Sequence, residues 1–161
     1  MANTNTILGI SPSTRVLGFA AYRDDEFLRC SAKYFKEKWS ISKLKQILET
    51  IEKMFEHYGV QTLAIKQIDP LKTSKERELL VKCILKRAKK RGIKVKHYGH
   101  YEIGQLFRKN LEEKDPTIGM YISKKYPEYK KEYLKESNNR QPYYVKMFEA
   151  MVLAELTSLG R

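Results

Sequence analysis

The 161-residue chain predicts an α/β fold, a mixed sheet with helices packed on its faces. Three observations carry this expectation. The first forty residues hold strand-like stretches parted by tight polar turns, the middle alternates amphipathic helices with short apolar strands, and the pattern after Tyr98 is helical. Hairpins join antiparallel strands, whereas strand–helix–strand crossovers join parallel ones, so the order β-β-β-α-β-α-β implies a sheet of both kinds.

Ile7-Leu8-Gly9-Ile10 is a short apolar run closed by the turn cluster Ser11-Pro12-Ser13. Val16 to Tyr22 reads as a second strand, Arg23-Asp24-Asp25-Glu26 as a polar hairpin turn, and Phe27 to Phe35 as a third strand. Ser40 is a plausible N-cap for a helix whose apolar positions Ile41, Leu44, Ile47, Leu48, Ile51, Met54 and Phe55 recur every three or four residues, with Gly59 as its stop. Val60 to Ile68 is an apolar strand ended by Asp69-Pro70. Thr73 or Ser74 caps the next helix, with Leu79, Leu80, Cys83, Ile84 and Ala88 as its stripe and Gly92 as its end, and Ile93 to Tyr98 is a short fifth strand. Tyr101 to Asn110 forms a helix, Asp115-Pro116 starts another with Ile118, Tyr121 and Ile122 on its apolar face, and Pro127 to Glu136 is a charged turn or helix. Ser137 to Pro142 is the clearest loop, Pro142 suits a first helical turn, and Tyr144, Met147, Phe148, Met151, Val152, Glu155 and Leu156 run along a last helix to Gly160.

Length favours one domain over residues 1–161, with no repeat and no low-complexity tract. Aromatic residues at 11% are too many for a disordered polycation, and no apolar run approaches the roughly 20 residues needed to span a bilayer. The first five residues lack the features of a signal peptide, so a cytoplasmic protein with no membrane association is expected. Cys30 and Cys83 stand alone, which argues against a structural zinc site and a disulfide framework.

Lys and Arg number 32 against 19 Asp and Glu, a formal net charge of +13, which suits a polyanionic partner. Residues 72–96 hold eleven cations and two acids, Glu76 and Glu78. A solvated helix face is the usual reading of such a run. Its density makes a nucleic-acid surface the sharper one, with Lys72, Lys75, Arg77, Lys82, Lys86, Lys89 and Lys90 as contacts and Arg15 and Lys66 beside them. Eight of the eleven tyrosines lie between Tyr98 and Tyr144, interleaved with Lys124, Lys125, Lys130, Lys131, Lys135 and Arg140. Such faces can stack on bases, although core packing is the expectation for Tyr121 and Tyr144. No RNP, KH or helix-turn-helix signature is present, so base-specific reading is not implied.

The segment from Ile7 to Phe19, Ile-Leu-Gly-Ile-Ser-Pro-Ser-Thr-Arg-Val-Leu-Gly-Phe, resembles the first strand and turn of RuvC-type Holliday-junction resolvases, where the pattern is I-L-G-I-D-P-G-T-x-x-x-G-Y/F. Leu63-Ala64-Ile65-Lys66-Gln67 is similar to that family's A-I-E-Q segment, and Pro142 to Leu156, with Phe148-Glu149-Ala150-Met151, to its last helix. The resemblance implies an RNase H-like five-stranded sheet, a homodimer, a junction-DNA ligand and cleavage by two divalent metals held at four acidic or histidine positions. Carboxylates suit that task because Mg²⁺ and Mn²⁺ are hard cations.

The four matching positions here are Ser11, Lys66, Lys146 and Glu149, the alignment of Lys146 being the loosest. One carboxylate survives and two positions carry ammonium groups, which repel a metal. The resemblance thus implies the fold while the residues argue against the reaction, and no metal or other cofactor is expected. Ser11 reads as a turn residue or a substrate contact, without a histidine motif to make it a nucleophile. Lys66, too costly to bury unpaired, is expected at its strand's C-terminal end, either ion-paired with Glu149 or on a nucleic-acid phosphate. A divergent metal-dependent endonuclease using Glu149, Asp69 and Glu155 with Mg²⁺ or Mn²⁺ is the alternative, and a protein-interaction module on the same fold a third reading. Asp24 and Asp25 are expected in solvent, and His57, His97 and His100 are not spaced as a metal cluster.

Overall fold

The computed structural model describes residues 5–110, 117–137 and 143–160. Its five-stranded sheet has the order β3-β2-β1-β4-β5, built from β1 (Ile7–Pro12), β2 (Val16–Arg23), β3 (Glu26–Tyr34), β4 (Thr62–Lys66) and β5 (Lys94–Tyr98). β1–β2 and β2–β3 are antiparallel, and β4 is parallel to both β1 and β5. The β2–β3 turn places Asp24 and Asp25 at φ 53° and 64°, the paired left-handed residues of a hairpin turn whose twist matches the strands. The first turn is held by Ser13, whose hydroxyl donates to the Val16 carbonyl at 2.7 Å and accepts from the Val16 amide at 3.0 Å.

Helix α1 (Ile41–Tyr58) begins at Ser40, whose hydroxyl accepts from the Lys43 amide at 3.1 Å, and stops at Gly59 in the left-handed region. Helix α2 (Lys75–Lys90) is capped by Ser74, which accepts from the Arg77 amide at 3.2 Å. Helices α3 (His100–Asn110), α4 (Ile118–Lys125), α5 (Lys130–Ser137, after a 3-10 turn at Pro127–Tyr129) and α6 (Tyr144–Leu159) complete the described elements.

Strand alternation divides the core in two. Leu8, Ile10, Leu63 and Ile65 face α1 and α2, while Ile7, Ala20 and Ala64 face α6. Helix α6 is buried on every side from Met147 to Glu155, between the sheet and α3, α4 and α5, as a helix that is apolar all round requires. It lies against the sheet backbone itself. A Cβ on Gly9 would stand 2.1 Å from the Ala150 carbonyl oxygen, and one on Gly18 would stand 2.0 Å from that of Lys146. These two missing side chains set the depth of α6, and with it the height of Lys146 and Glu149 above the strand ends.

Element boundaries shift at the strands. β1 runs through Ser11 and Pro12, which the sequence assigns to the turn, because both pair with β2 opposite Gly18 and Leu17. β4 is Thr62–Lys66 rather than Val60–Ile68: the Val60 amide closes the end of α1 on the Phe55 carbonyl at 3.0 Å, and Ile68 has left the sheet. α4 starts after Thr117, whose hydroxyl accepts from the Met120 amide at 3.2 Å. The expected helix start at Asp115-Pro116, and Arg140 and Pro142 of the expected loop, lie outside the described residues.

Candidate functional site

The C-terminal ends of the parallel strands β1, β4 and β5 share one edge of the sheet, where open α/β sheets hold their ligands. Ser11 lies on β1 directly opposite Gly18, and Lys66 is the last residue of β4. The first turns of α6 cross above them, carrying Lys146 and Glu149 three residues apart on one helix face.

The four side chains meet. The Ser11 hydroxyl donates to Glu149 Oε1 at 3.0 Å, Lys66 Nζ donates to Glu149 Oε2, and Lys146 Nζ stands 3.6 Å from Oε1. Ser11 is fully buried, and Lys66 and Glu149 are each 6% exposed, so the ion pair is shielded from water. Burial pushes the Glu149 carboxyl up, but Lys66, Lys146 and the hydrogen bonds from Lys66 and Ser11 outweigh it and hold the group below the usual carboxylate range. Burial lowers the Lys146 ammonium, with Lys66 and Arg77 pushing the same way and Glu149 opposing. Two ammonium groups against one carboxylate leave the cluster with one positive charge. Arg77 adds another, reaching from α2 to donate through Nε to the Pro12 carbonyl at 3.1 Å.

A divalent metal pair does not fit this donor set. Such ions need several anionic oxygens. The one carboxylate in the cluster has Oε1 taken by Ser11 and Lys146 and Oε2 by Lys66. Among the described residues no group of three or more His, Cys, Asp or Glu is placed to hold a metal ion. Neither acid of the nuclease alternative reinforces Glu149. Asp69 closes its own turn, accepting from the Leu71 amide at 3.0 Å. Glu155 is buried elsewhere on α6, accepting from Tyr121 at 2.5 Å and from Tyr126, with Lys125 at 3.3 Å. Those contacts also explain Tyr121, a core residue as expected and 3% exposed, whose hydroxyl pKa burial and Glu155 both raise. Tyr144 is half-buried, edge-on to Tyr143. Cys30 and Cys83 are free thiols, and burial pushes the Cys30 thiol up to about 12.

His100, which the sequence puts at the end of the fifth strand in a structural rather than a ligand role, is a neighbour of this site. It follows β5 at the same sheet edge and, with Ile103, Arg108 and Glu149, lines a cavity of about 370 Å³. The signal was available: β5 is the third parallel strand, so residues just past its end belong beside Ser11 and Lys66. The Lys66 charge first, and partial burial second, hold the His100 imidazole below its ordinary 6.5. As pH falls from 6.5 the unfolded chain takes up this proton before the folded one, so stability declines through that window. Lys66→Met removes the main cause. NMR titration is expected to place the His100 pKa below 6.5 in the wild type and higher in the variant, and an unmoved value would contradict the electrostatic assignment.

The basic helix divides into two sets. Arg87 and the capping Arg91 pair with Glu52 of α1 at 3.4 and 3.5 Å, and Arg91 also with Glu56 at 3.1 Å. Their charge is partly spent inside the molecule. Lys75, Lys82, Lys86 and Lys89 are exposed and spaced to form one stripe along α2, with Lys90 beside it. Lys72 lies near enough to His100 for its charge to lower the imidazole, and Arg15 is exposed in the β1–β2 turn at the same sheet edge. Among the described residues no helix is long and apolar enough to cross a membrane.

No protein-family model and no curated protein matches the sequence. Solved structures do match. Thermus thermophilus RuvC superposes with a TM-score of 0.67 at 11% identity, over 96% of each chain. T. thermophilus RuvC in complex with a Holliday junction substrate gives 0.66 at 12% identity, over 92% of this chain and 90% of that one. The Fowlpox virus resolvase in complex with Holliday junction DNA gives 0.53 at 11% identity, over 97% and 99%. With its mixed five-stranded sheet and flanking helices, the chain has the RuvC-like, RNase H-like α/β fold.

Proposed function

We propose that this chain is a non-catalytic, RuvC-like nucleic-acid-binding protein that engages branched or structured DNA through the phosphate backbone. One observation carries the reading: at the carboxyl ends of the strands the only carboxylate of the four-residue cluster is saturated by two ammonium groups and a hydroxyl. That site offers an anion a net positive charge and offers a divalent cation no free oxygen ligand. The exposed stripe Lys75, Lys82, Lys86 and Lys89, with Arg15, Lys72, Arg77 and Lys90 near it, supports a phosphate-contacting surface. Lys66 belongs to this proposal as the charge that holds Glu149, since its own burial leaves little of it for a ligand. DNA rather than RNA, and a homodimer, rest on the likeness to junction resolvases.

Gel shifts with a four-way junction and with duplex DNA over a KCl series test the proposal. Binding is expected at low salt with a steep log–log slope, and each lost phosphate contact flattens that slope by about 0.9. The Lys82→Glu/Lys86→Glu variant is therefore expected to bind more weakly and to show a slope about two units shallower. Absence of a shift at low salt sinks the proposal, and junction cleavage in Mn²⁺ that Glu149→Gln abolishes replaces it with the nuclease reading. A second expectation concerns the cluster alone. Ser11→Asp/Lys66→Glu/Lys146→Asp gathers four carboxylates with Glu149, so calorimetry should find Mn²⁺ binding in this variant and none in the wild type.

A further inference from the structure

A second cleft lies along the lateral β3 edge of the sheet. β3 is an edge strand, and its residues alternate. Cys30 and Ala32 turn toward the α6 core, whereas Arg29, Ser31 and Lys33 point to the face that α1 covers, Ser31 opposite Phe19. A polar row cannot pack against a helix as apolar side chains do. α1 therefore leaves β3 uncovered, and a cavity of about 600 Å³ remains between them, a size ordinary for small-ligand sites. The opposite wall is one face of α1, where Thr50, Lys53, Met54 and His57 stand at i, i+3, i+4 and i+7.

Three features give this cleft a chemistry. Its lining contains Arg29, Lys33, Lys53 and His57 and no Asp or Glu. Among the described residues none of Arg29, Lys33 and Lys53 has a carboxylate within ion-pair distance, unlike Arg87 and Arg91 on α2, so their charge is available to a ligand. The floor is apolar, with Phe19 and Met54 both under 10% exposed, and Tyr34 and Tyr58 flank it. A third ring, Tyr143, is fixed across the strand edge by donating its hydroxyl to the Ala32 carbonyl at 2.6 Å. The acids Glu37 and Glu49 occur only in the adjoining cavity beyond Lys33 and Lys53, so the positive end of the groove is distinct. On β3 the row Arg29, Ser31, Lys33 is stepped at about 6.8 Å, enough to engage more than one anionic group along an extended ligand.

We propose that the β3–α1 cleft is a nucleotide-binding site, taking phosphate oxygens on Arg29, Lys33 and Lys53 and a base against Tyr34 or Tyr58. Cations without a carboxylate partner (Lys33 stands over the Phe35 ring at 5.6 Å), aromatic faces and an apolar floor together recognise a nucleoside phosphate and suit neither a bare anion nor an uncharged ring. The shared chemistry has two sources, a free nucleotide or one unit of a single strand. The site lies at the β3 edge, on the same sheet face as α2 but separated from the α2 stripe by α1, and does not depend on the function proposed above.

Two fluorescent probes distinguish the sources: an N-methylanthraniloyl-labelled ATP and a 5′-fluorescein-labelled ten-residue oligothymidylate, titrated into the full chain at low salt. At least one probe is expected to bind. Lys33→Glu/Lys53→Glu is expected to weaken that probe tenfold or more, and Tyr34→Ala several-fold, while Lys82→Glu/Lys86→Glu changes labelled-ATP binding less than threefold and weakens the oligomer less than the cleft pair does. All four residues in the paired variants are exposed, and circular dichroism is to check that each variant folds. Binding of labelled ATP alone identifies a free-nucleotide site, whereas binding of the oligomer, with or without ATP, identifies a strand site. Failure of both probes overturns the proposal, as does equal weakening by the two paired variants, which would mark attraction by overall charge. The four-way junction shift is read on the same proteins. Its retention in Lys33→Glu/Lys53→Glu separates failure of this site from failure of the α2 surface.

Discussion

Glu149→Gln is expected to destabilise the fold by about 3–5 kcal/mol, because it leaves the buried Lys66 beside the half-buried Lys146 with no counter-charge. For a chain of this length that is a fall in Tm on the order of 10 °C. Equilibrium denaturation in urea measures it directly, and a loss below about 1 kcal/mol would show that the ammonium groups reach water. The pH dependence has a definite sign. Glu149 has a folded pKa below its unfolded one, so its stabilisation is present above the ordinary carboxylate range and disappears as pH falls through the folded value. Glu149→Gln should flatten that acid limb. Lys146 acts at the other end of the scale: its pKa is lowered mainly by burial, so stability rises with pH as the folded group releases its proton first.

Gly18→Ala carries the second large effect. Its new Cβ would fall 2.0 Å from the Lys146 carbonyl oxygen and 2.1 Å from the carbonyl carbon. These are backbone atoms of a helix buried on all sides, so no side-chain tip can swing away and α6 itself must lift. Overpacking of that kind costs about 3 kcal/mol. The displaced turn carries Lys146 and Glu149, so the variant should also loosen the contacts to Ser11 and Lys66 and move the His100 titration. Gly104→Ala is the matched control. Its Cβ would meet Arg108 at 3.5 Å, an ordinary contact, within α3. There alanine is expected to stabilise by up to about 1 kcal/mol through helix propensity. Similar stabilities for the two variants would contradict the close approach of α6.

The helices with one apolar stripe were legible in the sequence down to their caps, Ser40 and Ser74, because each signal is local: a hydroxyl, a repeat of three to four residues and a glycine stop. Strand ends were less legible. Ser11 and Pro12 look like turn residues but belong to β1, because pairing with Gly18 and Leu17 is decided by a segment elsewhere in the chain. The sequence marks α6 as a helix but not that it is buried all round, since what covers its outer side, α3 to α5, leaves no periodic mark on α6 itself.

The candidate site was legible as four positions and not as an arrangement. Motif resemblance nominated Ser11, Lys66, Lys146 and Glu149, and charge chemistry predicted the pair Lys66–Glu149. Which oxygen each donor takes, the approach of Arg77 and the adjacency of His100 follow only from parallel strand ends meeting under a helix. The positive run on α2 shows the same limit. Its count comes from composition, but the pairing of Arg87 and Arg91 with α1 separates cations tied to the protein from those facing solvent.

By itself, then, the sequence determined element order, the faces of the strands, the excess of positive charge and the presence of one carboxylate, two lysines and a serine at the four positions nominated by the resemblance. These are properties of residue type and spacing, and they are present in the unfolded chain. Tertiary structure alone decided that the remaining carboxylate is saturated by its neighbours, that Glu155 serves two tyrosines elsewhere, and that a cationic cleft opens where a polar strand face meets α1. The physical reason is distance. Charges, hydrogen bonds and cavities depend on separations of a few ångströms between residues as many as 138 positions apart, and packing sets those separations.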